Sequence, residues 1–134
     1  MPVEVFSSTM PIWTFYDFVS ARGRNEIHDW LNSREVPKEA KINARIVSLQ
    51  GFPIFPEQYF SSYTGWNGLY ELRVVFKGVQ YRPFGFYGPG HRQFTLVVGG
   101  IEKGSIPKRL LEVADERRKI VTNDATRSRR HDFS

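Results

Sequence analysis

The stretch that decides the fold reads GLYELRVVFKGVQYR and occupies residues 68–82. Apolar and polar side chains alternate on both sides of Lys77 and Gly78, which is the pattern of a β-hairpin closed by a two-residue turn. With these two residues as the turn, Arg73 lies directly opposite Arg82 on the neighbouring strand. The rest of the chain can be placed around this hairpin.

The alternation gives the hairpin an apolar face and a charged face, because successive side chains of a strand point to opposite sides. The apolar face holds Tyr70, Leu72, Val74, Phe76, Val79 and Tyr81, and the other face holds Glu71, Arg73, Val75, Gln80 and Arg82. Two opposed arginines repel each other by roughly 0.2–1 kcal/mol. Two explanations stay open: a solvated face on which Glu71 neutralises one arginine, or a face that binds a polyanion.

The composition favours an acidic partner. Among 134 residues, 19 are Lys or Arg and 14 are Asp or Glu, so the net charge is +5 and nucleic acid is the first candidate. The chain has no cysteine, which excludes disulfides and thiolate chemistry. Its start lacks the pattern of a secretion signal, and no apolar run approaches the roughly 20 residues of a membrane span. We therefore expect a cytoplasmic protein.

The remaining elements follow from local signals. Aromatic and β-branched residues predict a strand at 12–19, and apolar spacing with Asn25 as N-cap predicts helices at 25–37 and 37–50. After the hairpin we expect a strand at 93–98 and a helix at 107–120. This order, β-α-α-β-β-β-α, predicts an α+β fold with a mainly antiparallel four-stranded sheet, helices packed on one side, and one open face.

Three regions carry further expectations. Residues 1–121 read as one domain, and the polar, arginine-rich residues 122–134 read as a disordered basic tail. The aromatic-rich segment 51–68 either plugs the edge of a core or stacks bases. A four-residue turn after Tyr87 would pair this residue with Arg92 in the next strand.

A series of short motifs resembles one known family. GLYELR at 68–73, YR at 81–82, EK at 102–103 and PK at 107–108 occur in this order in the phage-derived, HigB-like branch of the RelE/ParE toxin superfamily. The similarity covers about residues 16–119. It implies a RelE-like compact domain and the toxin half of a type II toxin–antitoxin pair. Such toxins are typically ribosome-dependent mRNA endoribonucleases (mRNA interferases) that a small helix-turn-helix antitoxin inhibits.

The resemblance also implies roles for individual residues. Cleavage of RNA needs a base for the 2′-hydroxyl, cations for the charge on the phosphorane, and an acid for the leaving oxygen. Carried over by motif, Arg73 and Arg82 would hold the scissile phosphate and Lys103 would add a cation. The candidates for proton transfer are His91, which titrates near neutrality, and Tyr81 or Tyr87. A solvated loop position beside Gly90 explains His91 better than catalysis does, and Tyr81 points toward the predicted core, which favours a structural role.

Five more residues are predicted to contact RNA around this centre: Lys77, Gln80, Arg92, Arg22 and Arg24. We expect neither a metal nor another cofactor, because the histidines have no partners at metal-binding spacing. Many RelE toxins carry a lysine at the position of Glu71 and a tyrosine in the last helix, which we do not find here. These departures put the mechanism in doubt more than the activity.

Two other functions fit the same motifs. ParE-like relatives inhibit a topoisomerase by binding and cut no nucleic acid, and a decayed prophage relative would bind RNA or its partner without activity. The nuclease hypothesis requires that the guanidinium groups of Arg73 and Arg82 lie together on one concave face. It also requires that these groups are not locked into contacts with carboxylates.

Overall fold

The structure is a computed structural model that describes residues 11–33, 38–63, 65–66, 68–102 and 106–133. Its helices are α1 (Glu26–Leu31), α2 (Lys38–Gln50) and α3 (Lys108–Asn123), followed by a short 3-10 helix at Ala125–Arg127. Its strands are β1 (Thr14–Phe18), β2 (Phe60–Ser62), β3 (Tyr70–Leu72), β4 (Val74–Phe76), β5 (Val79–Tyr81), β6 (Phe84–Tyr87), β7 (Gln93–Val98), β8 (Ile101–Glu102) and β9 (Ser128–Arg130). None of the helices in the described ranges has the length and apolarity needed to cross a membrane.

The predicted hairpin forms in the predicted register. At its turn, Lys77 and Gly78 both have positive φ angles, of 52° and 79°, as a two-residue hairpin turn of this type requires. The predicted apolar face is buried or packed against the core, so the alternation is confirmed. The pairs next to the turn are Val74 with Tyr81, Val75 with Gln80 and Phe76 with Val79.

The same register continues on the far side of a break in the ladder. Glu71 pairs with Phe84, which places Arg73 opposite Arg82 at the break. These two arginines form a non-hydrogen-bonded pair of the antiparallel ladder, so their backbone N–H groups point outward: that of Arg73 donates to the Tyr59 carbonyl at 2.8 Å, and that of Arg82 donates to the Gly100 carbonyl at 2.7 Å. The strands on either side of this pair belong to different sheets.

Pro83 explains why the ladder breaks here. Its carbonyl accepts the N–H of Leu72 at 2.9 Å, but a proline has no N–H to return a bond. The pairing is one-sided at this point, as expected for a proline inside a hairpin. Strands β4 and β5 then turn away with β8, and β3 and β6 stay in the larger sheet.

The prediction of a mainly antiparallel four-stranded sheet is wrong. The larger sheet has six strands in the order β2-β3-β6-β7-β1-β9 and is mixed, because β1 runs parallel to β7. A second sheet of three strands has the order β4-β5-β8. The extra strands arise from the broken hairpin and from the C-terminal residues, and neither feature can be counted from local alternation alone.

The prediction that the helices pack on one side is also wrong. Helices α1 and α2 cover one face of the large sheet, where Ile42, Ile46 and Leu49 of α2 are buried among aromatic side chains. Helix α3 covers the other face, where its Leu111 and Ala114 are buried. Strands β6 and β7 carry apolar side chains on both faces, and such strands need cover on both sides.

The helix ends follow local rules only in part. Asn25 caps α1 as predicted, since its side chain accepts the backbone N–H of His28 at 2.9 Å. Helix α1 ends at Leu31, earlier than expected, while α2 begins and ends close to the predicted positions. Tyr87 pairs with Phe94 and not with Arg92. The pairing of β6 with β7 is also irregular between Phe84 and Gly85, and the adjacent Val97 and Val98 both pack in the cluster that α3 covers, so strict alternation does not extend to the end of β7.

The C-terminal residues, predicted to be a disordered tail, are part of the sheet. Helix α3 continues to Asn123, and β9 pairs antiparallel with β1, with Arg129 beside Asp17. His131, the first residue after β9, is buried, and its backbone N–H donates to the Phe15 carbonyl at 2.9 Å. The high charge of this segment led to the prediction of disorder, although one buried histidine, His131, anchors it.

His131 fixes the C-terminus through a buried polar network. Its Nδ1 lies 2.7 Å from Asp17 Oδ1, and its Nε2 lies 2.8 Å from Asn43 Oδ1 of helix α2. The second oxygen of Asp17 accepts the side-chain amide of Asn25 at 2.9 Å. One histidine thus joins β1, the cap of α1, and α2, with both side chains of the pair fully buried.

We expect the substitution His131→Ala to lower the free energy of unfolding by about 3 kcal/mol, because the buried Asp17 and Asn43 each lose a hydrogen-bond partner and each such loss costs about 1–3 kcal/mol. Urea unfolding followed by circular dichroism measures the change. The matched control is Arg130→Ala, which removes an exposed side chain from the same segment and should change the free energy by less than about 0.5 kcal/mol. Equal effects of the two variants would contradict the role of the network.

Candidate nucleic-acid site

The candidate site lies where the hairpin passes between the two sheets. Tyr70 and Leu72 of β3 pack toward helices α1 and α2, so Glu71 between them points to the opposite face. Arg73 follows two residues later and emerges on the same face as Glu71, and Arg82 reaches it from the neighbouring strand. Strand alternation and hairpin register thus bring the three side chains together.

Both guanidinium groups contact the same carboxylate. Arg82 holds Glu71 Oε1 with two donors, Nη2 at 2.6 Å and Nε at 3.2 Å. Arg73 Nη1 lies 3.4 Å from Glu71 Oε2, a longer and weaker contact. The Glu71 side chain is 4% exposed, against 16% for Arg82 and 29% for Arg73. The carboxylate is therefore the buried centre of the cluster and the arginines form its outer part.

This geometry differs from both explanations of the opposed arginines. The solvated-face explanation had Glu71 neutralise one arginine, and the polyanion explanation left both available. In the structure one carboxylate is shared by two cations, so the three groups together carry a single positive charge. The repulsion expected for an opposed pair is offset by the shared carboxylate.

Arg73 is positioned by further contacts besides Glu71. Its Nη1 donates to Ser61 Oγ at 3.0 Å, and its Nη2 donates to the Glu57 carbonyl. Behind it, Arg45 of helix α2 donates to the Arg73 carbonyl at 3.1 Å and lies 3.6 Å from the centre of the Tyr59 ring. Sequence patterns do not single out Arg45, because helical periodicity does not tell which strand a helix will cover.

An open cavity of about 320 Å³ lies beside the cluster, lined by Ser62, Tyr63, Glu71 and Arg82. Sites for small ligands commonly measure about 300–1,000 Å³. The lining therefore combines a cation, a carboxylate and two hydroxyl groups around a volume that can admit a nucleotide. Ser62 and Tyr63 belong to the aromatic-rich segment 51–68. The sequence alone could not tell whether this segment contributes to a site or only packs at the edge of the core.

The predicted proton-transfer residues Tyr87 and His91 lie elsewhere. Tyr87 packs against Trp13, Phe55 and Tyr70 on the face of the sheet opposite Glu71. Glu71 pairs with Phe84 of β6, and Tyr87 follows Phe84 by three residues, which corresponds to about 10 Å along the strand. His91 lies still further along, in the exposed turn before β7.

The predicted RNA contacts do not form one surface with the cluster. Lys77 and Gln80 belong to the hairpin of the small sheet, and Arg92 lies in the same exposed turn as His91. Arg22 and Arg24 follow β1, three strands away from β3, or about 14 Å across the sheet. Arg24 is also paired with Asp29 at 2.8 Å.

Lys103, the remaining predicted cation, lies outside the described residues. Within the described part of the chain, no cluster of three or more histidine and carboxylate side chains is arranged to hold a metal ion. The chemistry that the described cluster offers is therefore anion binding by guanidinium groups, together with proton transfer at a carboxylate.

Comparisons with family models, with curated proteins and with solved structures found no match to this chain.

The titration of Tyr87 is a direct test of its environment. Partial burial raises the pKa of the Tyr87 hydroxyl to about 12, and the nearby Tyr70 adds to the rise. Because the folded pKa lies above the unfolded value, the stability linked to this group is complete below pH 10 and is lost as the pH rises to about 12. We expect a late phenolate absorbance step in the native protein that the variant Tyr87→Phe lacks. A Tyr87 step at or below pH 10 would contradict this placement.

Proposed function

We propose that this protein is the toxin of a type II toxin–antitoxin system and that it cleaves mRNA as a metal-independent endoribonuclease. The observation that carries the proposal is the convergence of Arg73, Arg82 and Glu71 beside a nucleotide-sized cavity. These residues lie within the motifs that resemble HigB-like toxins. A toxin of this kind would act on messages held by the ribosome in the cytoplasm, and a helix-turn-helix antitoxin would restrain it.

The arginine cluster suits the chemistry of RNA cleavage. The transition state carries its charge on the phosphorane oxygens, and positioned cations that meet this charge supply a large part of the acceleration. Guanidinium groups bind phosphate oxygens with paired, planar donors. In this chain Arg82 lines the cavity directly, and Arg73 is held next to it by Ser61 and by Glu71. We therefore assign the phosphate contact principally to Arg82.

One observation favours a second candidate function. Glu71 holds both arginines, which is the arrangement that counts against a nuclease, and Tyr87 and His91 lie away from them. A protein that only binds a partner would need no change in this geometry. A ParE-like inhibitor of a topoisomerase is the form of this alternative that the sequence motifs suggest. An inactive relative that binds only RNA or an antitoxin is its limiting case.

Incubation with translating ribosomes separates these functions. The purified protein is added to a translation extract, and the 5′ ends of the message are mapped. New 5′ ends support the nuclease. An intact message, combined with inhibited supercoiling in a gyrase assay, supports the topoisomerase inhibitor. An intact message and unaffected supercoiling would leave only the binding function.

We expect Arg82→Lys to reduce cleavage about a hundred-fold, since loss of one preorganised donor to an oxyanion typically costs about 10²–10³ in rate. Lysine keeps the charge that balances Glu71, so the fold should be retained, which thermal unfolding verifies. The matched control is Arg109→Lys, an exposed arginine of helix α3. Unchanged cleavage by the Arg82 variant would overturn the assignment of the phosphate contact.

A further inference from the structure

We propose that Glu71 is the general base of this site and accepts the proton of the attacking RNA 2′-hydroxyl. The inference rests on the proposed function and supplies the group that it lacks. Glu71 takes the place of Tyr87 and His91, which lie on the other face and in a distant turn. The structural alternative is that Glu71 only balances the charge of Arg73 and Arg82.

The chemistry of the cavity wall singles out this residue. Of the four described residues that line the cavity, Arg82 is a permanent cation, and Ser62 and Tyr63 carry neutral hydroxyl groups at neutral pH. A carboxylate is an acceptor with no proton to lose, so Glu71 is the lining side chain suited to take a proton. It also lies within contact distance of the cation that would hold the phosphate.

The two carboxylate oxygens have different surroundings. Oε1 accepts two hydrogen bonds from Arg82, at 2.6 and 3.2 Å, which fixes the orientation of the group. Among the described residues, Oε2 is contacted by Arg73, at 3.4 Å. Each carboxylate oxygen can accept about two hydrogen bonds, so Oε2 keeps capacity for a hydroxyl donor. We assign the proton transfer to Oε2.

The arginines make the position of the substrate specific. A phosphate held by Arg82 at the cavity would place the adjacent ribose hydroxyl beside the same carboxylate, because Arg82 and Glu71 are in direct contact. In the part of the chain that the structure describes, the charged groups that face Glu71 from the neighbouring elements are Arg73, at the end of β3, and Arg82, after β5. Tyr63 adds a titratable hydroxyl on the cavity wall.

The proposed step balances without a metal. The 2′-oxygen forms a bond to phosphorus while its proton passes to Glu71 Oε2, and the bond from phosphorus to the 5′-oxygen breaks. Water, which the open cavity admits, gives the leaving oxygen its proton, and the resulting hydroxide takes the proton from Glu71. The products are a 2′,3′-cyclic phosphate and a 5′-hydroxyl end.

The decisive variant is Glu71→Gln in the full chain, assayed with the message or oligonucleotide that the native protein cleaves. A general base contributes about 10²–10⁴-fold to rate, so we expect kcat to fall by that factor. The fall of kcat toward acid pH that marks the base should disappear in the variant. Binding of an RNA with a 2′-deoxynucleotide at the cleavage position should be unchanged, and Glu116→Gln, an exposed carboxylate of α3, serves as the control.

The outcomes distinguish the two proposals. If Glu71→Gln cleaves with an unchanged acid limb while Arg82→Lys is impaired, the nuclease function stands and the base assignment is overturned. If the native protein yields no cleavage under any of these conditions, the proposed function fails and the inference fails with it. Weakened binding of the 2′-deoxy RNA with an unchanged kcat would assign Glu71 a purely structural role.

A second variant covers the case in which Glu71→Gln does not fold. Glu71→Asp keeps the charge that both arginines need and withdraws the carboxylate by one methylene. We expect it to fold, to cleave more slowly than the native protein, and to keep a one-proton acid limb. A native pH profile without an acid limb would overturn the proposal without any variant.

Discussion

The contact on which the site depends is the sharing of one buried carboxylate by two arginines. At the point where the hairpin changes sheets, the register brings two guanidinium groups to the same side. Without a negative charge between them they would repel, and a charge inside a protein is costly unless it is paired. Glu71 meets both conditions at once because it lies two residues before Arg73 on the same face of the strand.

The cluster of Arg73, Arg82 and Glu71 forms at an interruption of the hairpin ladder. Pro83 lacks the N–H that would complete its pair with Leu72, and the ladder is interrupted there. Next to this interruption Arg73 and Arg82 both contact Glu71, and Glu71 and Arg82 line the cavity. The shared carboxylate therefore joins two cations that would otherwise repel.

The same contact limits what the cluster can do. Three groups that together carry one positive charge attract a phosphate less strongly than two unpaired arginines would. In return, the guanidinium groups are preorganised, and a carboxylate is held next to the place where a phosphate would bind. Residues that fulfil a structural and a chemical requirement together are typical of functional sites, where local stability rules are often relaxed.

Contacts far from the candidate site connect it to the rest of the fold. Both faces of the large sheet are covered by helices, and β9 extends the sheet at the edge opposite β2. The buried contact between His131 and Asp17 fixes that edge and reaches α2 through Asn43. Helix α2 in turn carries Arg45, whose guanidinium group supports the Arg73 backbone. The C-terminus and the candidate site are thus linked through one helix.

The sequence by itself determined the hairpin, its turn, its register and the composition of its two faces. These features depend on strand periodicity and on the φ angles of a two-residue turn, which are local properties. The N-cap at Asn25 was local in the same sense. Proximity of Arg73 to Arg82 followed from the register, so the sequence also contained the core of the candidate site.

Only the tertiary structure decided the number of strands, the cover on both faces, and the sharing of Glu71. A basic segment can be solvated or can be anchored by one buried histidine, and His131 became informative only when Asp17 and Asn43 came close to it. Tyr87 was separated from the cluster by the face on which it packs. These outcomes depend on contacts between residues far apart in the chain, and local periodicity carries no information about such contacts.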